Sequence, residues 1–212
     1  GIHPQTEVVT WTEGVTPANL SAFLAGGTVV VDGVDLYALS AKKQLYDAAR
    51  AAGLPVFSGP VLGYGCALAV FHPTRSPSFD DYFGVIPPDP TSPVYRRFRE
   101  GLAMGFFGFR PRLDMAAFMQ RVHGGAVPSI GSSCMLSGAW VTVAIVDYVL
   151  DRRQVPCVPV TQHLDLMEGR LVRTGPWRRR FLRLVLGLYL RRLDRNGAAG
   201  SRPARSAGSP SS

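Results

Sequence analysis

The chain has 212 residues, 46% of them hydrophobic and 18% charged. That is enough apolar material for one sizeable α/β core and too much for wholesale disorder. Its formal charge of +8 is unevenly placed: from Arg170 onward eleven arginines face one acid, whereas residues 1–169 carry twelve basic and fourteen acidic side chains. The basic character belongs to a tail, which argues against a nucleic-acid-binding domain.

Residues 8–11 (Val-Val-Thr-Trp) are β-branched and aromatic and predict a short strand. Thr16 and Pro17 supply an N-cap and a first-turn proline for a helix over 18–25, stopped by Gly26 and Gly27. Residues 28–31 are a continuous β-branched run, as expected of a strand covered on both faces. A helix is predicted over 39–52, ending at Gly53, and further buried strands over 55–58 and 66–71, the last after a glycine-rich turn at 59–65. Alternating strands and helices of this kind predict a Rossmann-like, doubly wound α/β sheet.

Residues 72–128 are rich in proline, glycine and aromatics and read as a long excursion across one sheet edge, with helical pieces over 92–101 and 113–122. A mostly apolar helix follows over 132–150, then a hairpin of 158–166 and 170–172 around Glu168 and Gly169. No segment reaches the roughly 20 apolar residues that span a bilayer. The chain is expected to divide into a domain over 1–173, a basic amphipathic helix over 174–195 and a disordered tail over 196–212.

Two acids close the run Val-Val-Val-Asp-Gly-Val-Asp at 29–35. Ligands of open α/β sheets bind at the carboxyl ends of strands, where Asp32 and Asp35 could hold Mg²⁺ on a triphosphate. The same acids could equally cap a turn and the following helix. Next to them, if the neighbouring strand runs parallel, lies Ser-Gly-Pro-Val-Leu-Gly-Tyr-Gly at 58–65. Gly59 and Gly63 there would let backbone approach a ligand, or simply turn the chain.

Together with Pro-Ser-Phe-Asp-Asp-Tyr-Phe-Gly at 77–84, Pro-Ser-Ile-Gly-Ser at 128–132 and His-Leu-Asp-Leu at 163–166, these motifs resemble the ThiF-type adenylyltransferases. That family comprises the ubiquitin-activating enzymes and the bacterial proteins that activate sulfur carriers. The resemblance covers residues 1–172 and looks like the second half of the family's domain. It implies ATP and Mg²⁺ as cofactors and a ubiquitin-like or sulfur-carrier protein as partner, whose C-terminal carboxylate is adenylated. By resemblance Asp35 is the metal-side aspartate, Asp32 supports it, and residues 60–65 border the channel for the carrier's tail.

Several family features are missing. The glycine-rich phosphate loop, ribose-binding acid and Arg/Lys cluster would precede Gly1, and the chain opens without Met, so upstream sequence is expected and the fragment alone should bind Mg-ATP weakly. Leu36 stands where the family usually has Asn. No CxxC pair is present, so no structural zinc is expected. A non-catalytic module that recognises a partner protein is the alternative reading.

Cys66, Cys134 and Cys157 are too few and too scattered for a disulfide framework and fit a reducing, cytoplasmic setting. Cys134 is the one candidate thiol, at a helix N-terminus that could activate it, against the plainer expectation of a small buried side chain. His123 and His163 read as surface or partly buried structural histidines, and Asp80-Asp81 as a charged turn among core aromatics. Residues 177–193, an apolar centre between arginines, suit either packing on the domain or a homodimer mate, or an interfacial helix on a membrane surface.

Overall fold

The structure, a computed structural model, describes residues 3–95, 98, 129–177, 181, 184 and 188. Helix α1 (Leu20–Leu24) buries Leu20 and Leu24, one turn apart. Thr16 and Asn19 hold its start reciprocally, each side-chain oxygen accepting from the other's backbone N–H. Strand β1 (Val30–Asp32) leads to helix α2 (Leu39–Ala51), which buries Leu39, Lys42, Leu45, Tyr46 and Ala49, a single stripe at helical spacing. Gly53, with φ 72°, ends it in the left-handed region that disfavours side chains. The chain then forms β2 (Val56–Ser58), β3 (Val61–Leu62), β4 (Gly65–Phe71) and the short helix α3 (Phe79–Phe83). Helix α4 (Gly131–Val149) and strands β5 (Thr161–Asp165) and β6 (Arg170–Thr174) complete the fold.

Sheet order is β1-β2-β4-β5-β6, with β3 paired to β4. Among the described strands only β1 and β2 run parallel; every other pairing is antiparallel. The expectation of parallel crossovers throughout fails after Ser58. A parallel return needs a dozen or more residues, and only residues 59–64 separate β2 from β4. They turn back on themselves instead, with β3 forming a small hairpin against the start of β4. The result is still a mixed, Rossmann-like α/β sheet, with its central strands β2 and β4 covered on both faces.

Strict alternation along the central strands sorts side chains between two cores. Val56, Ala67, Ala69 and Phe71 face α1, α2 and α3 beside Leu24, Leu45, Tyr46 and Phe79. Phe57, Leu68 and Val70 face α4, meeting Val141 and Ala144. This two-sided burial is why β2 and β4 read as continuous apolar runs.

Four local expectations change. Residues 8–11 form no strand; Val8 and Val9 lie exposed and pair with no strand among the described residues. Val31 is 57% exposed, so β1 is covered on one face only, as suits the strand at the end of the sheet path. Residues 79–83 form a helix rather than a turn, because Ser78 and Asp81 make a reciprocal capping box that also accounts for Asp81. Its Phe79 and Tyr82 are buried, as expected for aromatics flanking those acids, and Asp80 pairs with Lys43 at 2.9 Å. Lastly, α4 is long and apolar enough by length and composition to cross a membrane, where no segment of that kind is expected from the sequence. It nonetheless buries Ser133, Ser137, Val141 and Ala144 as one face of the domain.

The predicted helix over 92–101 is seen at residues 93–95 and 98. The helix expected over 113–122, His123 and the tail beyond 188 lie outside the described residues.

Candidate functional site

The parallel register places Asp32 of β1 opposite Ser58 of β2, so the two strand ends do lie side by side. Asp32 is the hub of a buried polar network. Its side chain has no exposed surface, and that of Lys42 is 6% exposed. The Lys42 ammonium donates to both carboxylate oxygens, at 2.8 and 2.6 Å. Tyr46 and Ser58 hydroxyls each donate to Oδ2 at 2.7 Å, and the Val34 amide donates to Oδ1 at 3.0 Å. Burial, and then the Asp32 charge beside it, push the Tyr46 phenol well above its ordinary pKa, so it stays a donor.

The third proton of Lys42 reaches the Val34 carbonyl at 2.9 Å. Lys42 therefore ties the end of β1 to the turn that follows it. Lys42 and Tyr46, both on the inner stripe of α2, were not singled out from the sequence. The available signal was a lysine in an otherwise apolar stripe, ten residues after an acid at a strand end.

Asp35 stands on that clamped turn and is exposed. Its Oδ1 accepts from the Tyr37 amide at 3.0 Å, an Asx turn that orients the carboxylate. The first helical cap is Ala38, so Asp35 precedes α2 rather than capping it directly.

The 59–65 segment is drawn toward α4. A Cβ on Gly59 would lie 2.4 Å from Ser137 Oγ and 2.7 Å from Val141 Cγ2, so helix packing alone requires glycine there. Ser137 donates to the Gly59 carbonyl. Gly63 has φ 56°, and its carbonyl accepts from the Ile130 amide at 3.2 Å and Ser133 Oγ at 3.1 Å. A Cβ on Gly65 would meet the Leu164 carbonyl at 2.7 Å, which makes glycine a condition of β4–β5 pairing. The structure thus brings Asp32, Asp35 and the 59–65 segment to one end of the sheet, and joins the N-terminal turn of α4 to them through Gly63.

Cys134 lies on that turn and is exposed, contrary to the expectation of burial, because the inward positions are taken by Ser133 and Ser137. Cys66 is buried in β4, and burial raises its thiol to about 11. Cys157 is half-buried and also raised. A maleimide added to native protein should therefore modify Cys134 first and Cys66 last, as peptide mass spectrometry over time would show. Equal rates for Cys66 and Cys134 would contradict this placement. His163 is more buried than expected, at 4% exposure, in the middle of β5 between Ala67 and Val172.

The ThiF family model matches residues 1–180. The chain belongs to the ThiF family. Members of this family act with ubiquitin-like or sulfur-carrier proteins and typically bind ATP and Mg²⁺. No curated protein matches the ThiF-family chain. Among solved structures it is similar to the crystal structure of SeMet PaaA, with a TM-score of 0.45 and 17% identity over 76% of this chain. The match spans 46% of that protein, about half its length.

Whether this ThiF domain could take a magnesium ion is decided by its carboxylates. Among the described residues no group of three or more His, Cys, Asp or Glu side chains converges on one point. Asp32 is occupied by Lys42, Tyr46, Ser58 and a backbone amide. Asp35 alone presents an exposed carboxylate at the strand end. One carboxylate is sufficient for Mg²⁺ carried on a triphosphate, since the ion takes most of its ligands from phosphate and water.

Proposed function

We propose that this chain contributes the metal-side and carrier-side part of an adenylation site. The observation that carries the reading is the exposed Asp35 carboxylate, oriented by its own Asx turn on a loop that the buried Asp32–Lys42 pair holds to the strand end. Asp35 would hold Mg²⁺ with the triphosphate, and Asp32 and Lys42 would position Asp35. Bound there, Mg²⁺ supplies charge neutralisation on the phosphates. The terminal carboxylate oxygen of a ubiquitin-like or sulfur-carrier protein would form a bond to the α-phosphorus. The α–β phosphoanhydride would break, and pyrophosphate would leave.

Residues 60–65 border the path we assign to the carrier's C-terminal tail. Gly59 and Gly63 would shape that path through the hairpin they permit, since their carbonyls bond to α4. Three free cysteines suit the cytoplasmic setting we assign to the protein. A second reading, a ThiF-like module that binds a partner without chemistry, is favoured by one observation: the carbonyls of Gly59 and Gly63 are turned to helix packing rather than toward a ligand.

Carrier-dependent exchange of labelled pyrophosphate into ATP, measured on the full-length protein, separates the two. Exchange that requires the carrier supports adenylation. Carrier binding without exchange supports the module.

A further inference from the structure

Helix α4 carries more apolar surface than the core takes from it. Its buried stripe is Ser133, Ser137, Val141 and Ala144, and the helix packs on β2, β3 and β4. Beside that stripe, Leu136, Ala139, Trp140 and Val143 recur at the i, i+3, i+4, i+7 spacing of a second apolar face. This second face lines a cavity of about 510 Å³, closed on the other sides by residues 153–156 and the outer strands β5 and β6. The cavity is lined entirely by described residues.

Its polar groups gather at one end. Across β4, β5 and β6 the register sets Leu68 opposite Gln162 and Gln162 opposite Arg173, one row of side chains on the face that Leu68 turns to α4. Leu164 and Leu171 make the neighbouring row. Gln162 is only 8% exposed, yet its side-chain amide has no hydrogen-bond partner among the described residues. A buried amide left unpaired is uncommon and costs free energy until water or a ligand satisfies it. Next to it, Arg173 is exposed and makes no ion pair among the described residues. The other arginine on the cavity, Arg153, is held by Asp147, and no lining residue is acidic. One uncompensated cation and one open amide therefore stand at the edge of an apolar chamber.

We infer that this cavity binds a small organic acid with an apolar body. The carboxylate would accept from the Arg173 guanidinium and the Gln162 amide, and the body would lie among Trp140, Leu68 and Leu164. The volume falls in the range of small-molecule sites. A planar carboxylate matches the parallel N–H groups of a guanidinium. A single free cation answers a single negative charge, and the apolar lining disfavours a strongly hydrated polyanion. The site is independent of the adenylation reading, because Lys42 and Tyr46 of that network lie on α2, across the sheet from α4.

Calorimetric titration of the full chain with 2-naphthoate tests the inference. One equivalent should bind, with a Kd of roughly 0.1 mM. Neutral 2-naphthamide, of the same shape, should bind at least about tenfold more weakly, as should naphthoate to Arg173→Gln. Ala139→Trp should abolish binding by filling the chamber, and circular dichroism should show the fold intact, since Ala139 is exposed. Gln162→Leu should weaken binding without lowering the melting temperature, because it removes an unpaired buried amide. Asp35→Asn should bind naphthoate as the natural chain does, so that failure here and failure of the adenylation reading are distinguishable.

The inference is overturned if naphthoate does not bind, if the amide binds as tightly as the acid, or if Ala139→Trp leaves binding unchanged. A lower melting temperature in Gln162→Leu would show that the amide is already satisfied within the fold and would remove the polar end of the site. A dimer that Ala139→Trp splits, without naphthoate binding, would assign the cavity to a second copy instead.

Discussion

Asp35→Asn in the active full-length protein is expected to cut carrier-dependent pyrophosphate exchange by two orders of magnitude or more. The substitution keeps the side chain's shape and its oxygen for the Tyr37 amide, so the Asx turn survives. What it removes is one negative charge next to the metal and triphosphate. Loss of a single electrostatic contact made in the transition state typically costs about 3 kcal/mol, or more than a hundredfold in rate. Folding should change little, because Asp35 is exposed and the buried network belongs to Asp32. Equal thermal melting with lost exchange is therefore the expected pair of results. Unchanged exchange would reduce Asp35 to a turn former and leave the adenylation reading without its metal ligand.

Lys42→Met is expected to act in the opposite way, on stability before chemistry. Methionine replaces the lysine stem well but leaves the Asp32 carboxylate buried, with only Tyr46, Ser58 and the Val34 amide to hold it. Breaking a buried ion pair by removing one partner typically costs about 3–5 kcal/mol, because the remaining charge is left uncompensated. For a domain of this size that corresponds to a fall in Tm of roughly 10 °C. Adding Asp32→Asn to Lys42→Met should recover part of the loss, since it removes the stranded charge. The double variant should then be more stable than the sum of the two single effects. A Lys42→Met protein within 1 kcal/mol of the natural chain, by urea unfolding, would show that the carboxylate is satisfied without the ammonium.

The two variants also divide the strand end into its parts. Asp35→Asn tests the group that would touch the metal. Lys42→Met tests the clamp on which that group stands, and any loss of exchange it causes should follow the loss of the folded turn. Restoring the cation with Lys42→Arg should recover only part of the stability, because a planar guanidinium does not fit a pocket shaped for three tetrahedral donors to Asp32 and the Val34 carbonyl.

Much of the fold was legible in the chain order of residues, because the signals were local. The apolar stripe of α2 with Gly53 after it, the β-branched and apolar runs of β1, β2 and β4, the length of α4 and the hairpin around Gly169 all follow from side-chain period and from residues that stop a helix or turn a strand. The strand-end acids and the glycines after β2 were visible for the same reason, as was the resemblance to the ThiF family.

Contacts between distant segments were settled only in three dimensions. Asp32 and Asp35 look equivalent in sequence, three residues apart on the same strand end. They differ because one points inward to Lys42, Tyr46 and Ser58, which lie 10, 14 and 26 residues away, while the other faces solvent. Gly59 reads as a turn or ligand glycine, yet its hydrogen atom is required by Ser137 and Val141 of a helix some eighty residues later. Cys134 was expected to be buried as a small apolar side chain, but the register of α4 against the sheet gives the inward positions to Ser133 and Ser137. The antiparallel course of β4 was set by six connecting residues too short for a crossover. Sequence by itself determined most of the described elements and the family, since both are written in short-range patterns. Which carboxylate is buried, which glycine packs a helix and which cysteine meets solvent depend on long-range neighbours, and only the tertiary structure supplies those.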